Sequence, residues 1–542
     1  MPSNFRNMPL FCFGISFCLF SLGAIGTEIT KIDIRFALMV QDMTFHGLGL
    51  FPTLNGVEYG DYPSGWIFCS WLTTFGGHLM SLWTLILPTI LAGAYTVTLV
   101  YLTGEGFRKG VGFTAVMFLL VTPEFLSLFC GFGIDVPVMA AGATMLYLFS
   151  RKHSVFRTLS IFAVLLLISF LVRGPMGLIL LGAGTGGYLL AGREWKNVLL
   201  FGCIGVITAI FCCLCWYAAI HFQGGPELWN WFLDCQLYSR MKRNGYGTCS
   251  IDVLLAFAPV APIALGVLLP RRQQKLPRTA VGWLGYTLLP VFILSIPGDG
   301  HLRYFALTLP GFALLAAYVW CENIPKRFPG NRFLLPAKRF EQFALPLMMT
   351  ALAVLTVVGC FLTEPALLPW GHFAVTAILA AACRPLCGVH FKQYCPVIMT
   401  GIFLTVALNP FLAALENSEC FIARVERDRN GLLYLYEMGP DHDDLKYVLG
   451  VSPEKRGRIQ YLYAEKLHLP EYYARMYPSA VLAEKIGRIT GDDILILRNR
   501  QQELESLRKE AEKNGRQIQI RHTGSLGHRK FAAIRLTKKE EK

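Results

Sequence analysis

Asp135 interrupts an apolar stretch, in GFGIDVPVMA (residues 131–140), between the runs GVGFTAVMFLLVTPEFLSLFC and VPVMAAGATMLYLF. A carboxylate at the centre of a bilayer costs several kcal/mol, so it must sit at an interface or line a wet cavity. Other ionisable residues stand in similar isolation: Asp33, Glu58 and Asp61 before residue 80, Arg173 in SFLVRGPMG, Arg240 in the polar segment 221–250, and His301 and Arg303 in PGDGHLRY. Cations of this kind bind phosphate through charge-assisted hydrogen bonds. A carboxylate beside them can act on a sugar or another hydroxyl. Each position also has a plainer reading. Asp135, two residues before Pro137, would cap a helix, Arg173 would snorkel to the headgroups, and Asp33 would cap a surface helix.

The elements that must position these residues are membrane helices. Of 542 residues, 54% are hydrophobic and only 16% charged, and the mean hydropathy is +0.45, too apolar for a soluble chain of this length. Thirteen apolar runs approach the length of a membrane helix: 9–26, 82–102, 111–130, 136–150, 158–172, 175–192, 197–219, 253–270, 280–296, 304–320, 343–362, 371–387 and 394–414. With the N-terminus inside, the inner loops carry 19 basic residues and the outer loops 7, which sets the orientation. Asp33, Glu58, Asp61, Asp135, Arg173, Arg240, His301 and Arg303 then all fall on the outer face.

The run SGWIFCSWLTTFGG (64–77) would invert every later loop if it spanned. It is therefore expected to lie in the interface, with Trp66 and Trp71 at headgroup depth. DIRFALMVQDMTFHG, with Ile34, Ala37, Leu38 and Val40 at helical spacing, is expected to form a second surface helix in the same outer loop, 27–80. After about residue 416 the composition becomes charged. The apolar segments GLLYLYEM, DDILILRN and KFAAIRL alternate there with the helix-like PEYYARMYPSAVLAEKIG and QQELESLRKEAEK, which predicts a small α/β domain over 416–542 on the outer face.

Several classes are excluded or disfavoured. The net charge of +14 splits into +10 before position 416 and +4 after it, and positive-inside bias accounts for the first. No basic and aromatic patch of the nucleic-acid-binding kind is present. The 16 cysteines are scattered through apolar runs such as FCFGISFC and FCCLCW; Cys235 and Cys249 share a polar loop that would permit a disulfide on the outer side. DHDD (441–444) suits a solvated loop better than a metal site, and GAGTGG (182–187), inside a membrane span, suits close helix packing better than nucleotide binding. A transporter would place ionisable groups near the midplane of paired halves, whereas these gather at one face.

The ordered motifs resemble the GT-C type polyprenyl-phosphate-sugar-dependent glycosyltransferases, in particular the bacterial 4-amino-4-deoxy-L-arabinose lipid A transferases and the protein O-mannosyltransferases. The likeness covers roughly residues 9–320. It rests on DIRFALMVQDMTFHGLGLFPTLNGVEYGDYPSGW, LPTILAGAYTVTLVYLTG, GIDVPV, LVRGPMGLIL, CWYAAIHFQGGPELWNWFLDCQLYSR and HLRYFALTLPGFALL, in that order. Three positions depart from the family pattern. KIDIR leaves Asp33 without the usual neighbouring acid, Tyr62 stands in place of a lysine, and Arg173 replaces another lysine.

The resemblance implies an inverting transferase of the bacterial inner membrane, multi-pass, with its site and C-terminal domain in the periplasm. The donor would be a sugar on undecaprenyl phosphate and the acceptor lipid A, a protein or a glycan; a transporter or a noncatalytic relative is the rival. Asp33 would act as general base or orient the acceptor, and Asp135 would position the sugar or the acceptor. Arg173, Arg240, His301 and Arg303 would hold the donor phosphate, with Arg35, Glu58, Tyr59, Asp61 and Tyr304 completing the substrate site. No cofactor is implied, a divalent metal is left open, and nucleic acid is not a partner.

Overall fold

Long apolar segments become helices because only a helix satisfies its own backbone where water is absent. The computed structural model describes residues 7–29, 33–54, 56–151, 153–233, 248–268, 276–295, 302–323, 334–363, 365–386, 395–415, 419–436, 458–463, 479–481, 486–526 and 529–538. Among the described residues, six helical segments are long and apolar enough to cross a membrane: Leu82–Phe107, Val155–Arg173, Trp195–Gln223, Leu302–Cys321, Phe343–Leu362 and Pro396–Leu415. Five shorter apolar helices accompany them: Met8–Ala24, Val111–Leu120, Val136–Ser150, Pro175–Ala191 and Trp370–Ala382.

In chain order the first helices are α1 (Met8–Ala24), α2 (Asp33–His46), α3 (Gly65–Thr73), α4 (Leu82–Phe107), α5 (Val111–Leu120), α6 (Pro123–Ser127) and α7 (Val136–Ser150). A two-stranded hairpin, β1 (Thr53–Leu54) and β2 (Val57–Glu58), lies between α2 and α3. Ser81 starts α4 by accepting a hydrogen bond from the Thr84 amide, and the Thr84 hydroxyl accepts from the Ser81 amide, a reciprocal cap. The run 111–130, expected as one span, is broken: α5 ends before Pro123, which opens the short α6.

Both expected helices of the first loop are present as α2 and α3, and both pack against the rest of the protein. α2 is buried along most of its length, with Ile34, Phe36, Ala37, Met39 and Val40 wholly covered. Trp66 of α3 is 7% exposed and packs against the protein, while Phe68 and Leu72 of the same helix are exposed. Trp71 donates its indole N–H to Thr44 Oγ1 at 3.0 Å, tying α3 to α2. The hydrophobic spacing was right for a helix; it could not tell a lipid neighbour from a protein one.

Next come α8 (Val155–Arg173), α9 (Pro175–Ala191) and α10 (Trp195–Gln223), three successive antiparallel helices joined by short turns. The glycines of GAGTGG divide between two faces of α9. A Cβ on Gly187 would meet Gly285 O at 2.2 Å and one on Gly184 would meet the Tyr286 ring at 2.9 Å, so this face packs closely against the helix Arg278–Ser295. Gly182 and Gly186 have no atom within 4 Å of that position.

The C-terminal part holds a mixed six-stranded sheet with strand order β5-β4-β3-β6-β8-β7. Its strands are β3 (Leu433–Tyr436), β4 (Ile459–Tyr463), β5 (Ser479–Val481), β6 (Ile494–Arg498), β7 (Arg516–Leu526) and β8 (Arg529–Lys538). The first four pair in parallel and the last two add antiparallel. Ser479–Val481, expected within a helix-like stretch, is instead the edge strand β5. Three residues are too few for their hydrophobic pattern to separate a strand from a helical turn. The helix Gln501–Lys513 follows β6 and packs on β7 through this sheet's second core, with Leu507 and Ala511 buried.

Candidate active site

Arg173 is the last residue of α8, and Gly174 caps the next helix at φ 66° and ψ −151°, a conformation essentially restricted to glycine. Pro175 then opens α9 with its φ already helical. The sequence Arg-Gly-Pro thus turns the chain sharply and leaves the guanidinium at the tip of a helical hairpin. That guanidinium is 2% exposed and donates from Nε to Asp135 Oδ1 at 2.6 Å. Arg303 approaches the second oxygen of the same carboxylate at 4.0 Å. The Arg173 carbon Cζ also lies 5.3 Å from the Tyr62 ring centroid and 5.0 Å from that of Tyr304, between two electron-rich faces. Arg303 stands 5.4 Å over Tyr304.

Asp135 occupies the N-cap position of α7, but its side chain makes no capping hydrogen bond. Its oxygens turn to the two arginines. Arg173, for its part, is buried and ion-paired and does not snorkel. Its Nη1 and Nη2 have no hydrogen-bond partner among the described residues. Two buried donors left unmet are costly, and they are the groups that an anionic ligand would satisfy.

Asp33 opens α2 and is 8% exposed. Its Oδ1 accepts from the Phe132 amide at 2.7 Å, three residues before Asp135. The approach depends on Gly131, whose Cβ, if present, would stand 2.5 Å from Asp33 Oδ2. Aromatic rings join the two carboxylates. Phe36 stacks on Phe132 at 4.3 Å and meets the edge of Tyr62 at 5.4 Å, and Tyr62 in turn covers Arg173. Arg35 Nη1 donates to the Tyr59 hydroxyl at 2.8 Å, and Tyr59 stacks on Tyr62 at 6.0 Å.

The structure therefore brings Asp135, Arg173, Arg303 and Tyr304 into one cluster and sets Asp33, Arg35 and Tyr59 beside it. Glu58 lies on β2 opposite Thr53, half-buried. Asp61 is half-buried next to Tyr62. Arg240, His301 and Cys235 lie outside the described residues, as does DHDD. Burial pushes the Tyr62 phenol above its ordinary pKa, Asp61 adds to this, and Arg303 and Arg173 oppose it. Tyr62 is thus a neutral wall rather than a charged ligand, and the positive charge beside it comes from Arg173 and Arg303. Gly131, the Phe132 amide and Phe36 were not singled out from the sequence as parts of the site, and Tyr62 was noted only as standing in place of a lysine. A glycine two positions from another in CGFGID was the one signal available for the first of them.

Chemically, the cluster offers two guanidinium groups held by one carboxylate, with a second carboxylate anchored nearby. Such cations can stabilise a departing phosphate, and a carboxylate placed like Asp33 can serve as an acid-base or hydroxyl-orienting group.

Residues 63–217 match the family described as dolichyl-phosphate-mannose-protein mannosyltransferase, a stretch that contains Asp135 and Arg173. An undecaprenyl phosphate-alpha-4-amino-4-deoxy-L-arabinose arabinosyl transferase of Pseudomonas savastanoi pv. phaseolicola is 23% identical over 60% of this chain and 63% of its own length. That of Edwardsiella ictaluri is 24% identical over 53% of this chain and 54% of its own. The chain thus aligns with less than two thirds of either relative. The crystal structure of ArnT from Cupriavidus metallidurans bound to undecaprenyl phosphate superimposes with a TM-score of 0.69, covering 97% of this chain and 98% of that one, at 15% identity. The fold is that of ArnT. The apo ArnT structure agrees, with a TM-score of 0.67 and 98% of both chains covered at 15% identity. The chain resembles GT-C type glycosyltransferases of both kinds, and its ArnT fold takes in the sheet-bearing C-terminal part as well as the helices.

Proposed function

We propose that this protein is an inverting membrane glycosyltransferase that takes a sugar from undecaprenyl phosphate and transfers it to lipid A or a lipid A-like acceptor. The observation that carries the reading is Arg173: a buried guanidinium, oriented by Asp135 and two tyrosines, whose terminal nitrogens lack partners among the described residues. A sugar phosphate supplies the missing acceptors. Arg173 and Arg303 would take up the negative charge that grows on the phosphate as the glycosidic bond breaks. Asp135 keeps both cations in register, and Asp33 takes the proton of the attacking hydroxyl as its oxygen bonds to the sugar, or orients that hydroxyl. An acceptor that is itself a phosphate, as on lipid A, needs no strong base. The arabinosyl transferases and the ArnT structure with undecaprenyl phosphate support the donor class.

The match to protein mannosyltransferases favours a second reading, in which the acceptor is a protein hydroxyl. Mass spectrometry of lipid A and of periplasmic glycoproteins, from cells with and without the gene, separates the two. A sugar increment lost from lipid A on deletion supports the first. Intact lipid A with protein glycans lost supports the second, and no change in either sinks both.

Thirteen spans, a periplasmic site and a periplasmic domain over 416–542 belong to the same proposal. The support is the 19 to 7 bias of basic loop residues and the clustering of Asp135, at the start of α7, with Arg173, at the end of the antiparallel α8. Alkaline phosphatase fused after Ser418 is expected to be active, and the same enzyme fused within RRQQK (271–275) inactive. The reverse pattern would overturn the orientation.

A further inference from the structure

α8, α9 and α10 enclose an apolar groove with a volume of about 350 Å³, walled by Phe162 and Leu166, by Leu189, and by Phe201. The protein itself leaves it open. Gly182 and Gly186 of α9 and Gly202 and Gly205 of α10 all line it, and none has an atom within 4 Å of where a Cβ would stand. Thr185, 1% exposed, also lines it, and its hydroxyl has no hydrogen-bond partner among the described residues. On α9 the lining runs from Leu178 to Leu189 and on α10 from Val198 to Ala209, a length of about 17 Å at 1.5 Å per residue.

Those dimensions decide between occupants. The groove is open along one side, and its volume over that length is too small to seat a helix about 10 Å across but admits one extended hydrocarbon chain. The end of the groove at Leu189 and Val198 is one turn from the α9–α10 connection, at the end of α9 opposite Arg173. Arg193 and Lys196 are exposed there. The nearby acid, Glu194, pairs with Arg278 at 3.3 Å, and Arg278 also donates to Gly192 O at 2.9 Å. Arg193 keeps its side chain at φ 55°, where glycine would be less strained.

We propose that this groove holds one acyl chain of an anionic phospholipid, with its phosphate headgroup against Arg193 and Lys196. The site is separate from the Arg173 cluster and serves a bound lipid that is not consumed. Positive residues at a membrane surface favour anionic headgroups, and the dry glycine-lined wall admits a chain where a larger side chain would fill the space.

The test uses the delipidated full-length protein in dodecyl maltoside, titrated with phosphatidylglycerol or phosphatidylcholine and read by native mass spectrometry and thermal unfolding. One phosphatidylglycerol is expected to bind and raise the melting temperature, with phosphatidylcholine about tenfold weaker or worse. Gly182→Leu with Gly186→Leu, and separately Arg193→Glu with Lys196→Glu, should each weaken phosphatidylglycerol by about tenfold or more. If the leucine pair fails to fold, Gly182→Ala with Gly186→Ala should weaken it in the same direction. Equal response to the two lipids, or full affinity in the charge-reversed protein or in a folded groove-filled one, would overturn the proposal. So would affinity lost in Arg173→Ala but retained on charge reversal, which would give the groove to the donor's own chain.

Discussion

Asp135→Asn is expected to abolish nearly all transfer and to destabilise the protein, although asparagine has the same shape and caps a helix about as well as aspartate. The carboxylate does not cap α7; it pairs with Arg173 at 2.6 Å and faces Arg303 at 4.0 Å. Asparagine leaves Arg173 charged, buried and without its counter-ion. Removing one partner of a buried pair costs about 3–5 kcal/mol. Arg173→Gln in the Asp135→Asn background removes the stranded charge and is expected to recover most of the lost stability while transfer stays absent. Arg173→Lys alone should fall between, since a lysine keeps the charge but not the planar array of donors. Thermal unfolding in detergent, with turnover on a defined donor, measures both effects. An Asp135→Asn protein with the melting temperature and turnover of the unaltered protein would reduce Asp135 to a bystander.

Asp33→Asn is expected to lower turnover by about 100-fold, the scale of a positioned acid-base group, with little change in donor affinity. The residue is tethered through Oδ1 to the Phe132 amide, a bond to which an asparagine carbonyl can adapt, so the fold should persist. Gly131→Ala provides an independent check because it retains the carboxylate. Its new methyl group would stand 2.5 Å from Asp33 Oδ2 and must push it aside, so turnover should fall in the same direction. Steady-state kinetics with varied donor concentration distinguishes this from weakened binding. If Asp33→Asn turns over normally, the acceptor needs no acid-base help from this residue.

Membrane helices were legible because a run of apolar residues has one common solution in lipid, and α7 begins and ends where the pattern put it, at 136 and 150. Breaks were less visible: Pro123 sits inside a run that hydropathy alone joins. Asp135, Arg173 and Arg303 stood out because an ionisable group in apolar surroundings demands a reason. Their mutual contact did not, since residues 38 and 130 positions from Arg173 meet only through helix packing. Phe36 and Phe132 were hidden for the opposite reason: aromatic residues are common in such a chain, and only the fold shows which of them stack, with Tyr62, between the carboxylates. Gly131 is silent in sequence because its role is the room it leaves.

The hairpin of α8 and α9 carries Arg173 at its tip, with Gly174 and Pro175 allowing no slack between the two helices. α8 has 19 residues, about 28 Å at 1.5 Å per residue, close to the hydrocarbon thickness of about 30 Å. A membrane thinner than the hairpin is accommodated by tilt. Tilt of a rigid hairpin moves its tip, and here the tip is the guanidinium. The depth of this guanidinium, and with it of the phosphate site proposed for it, is therefore coupled to the thickness of the bilayer that surrounds the protein.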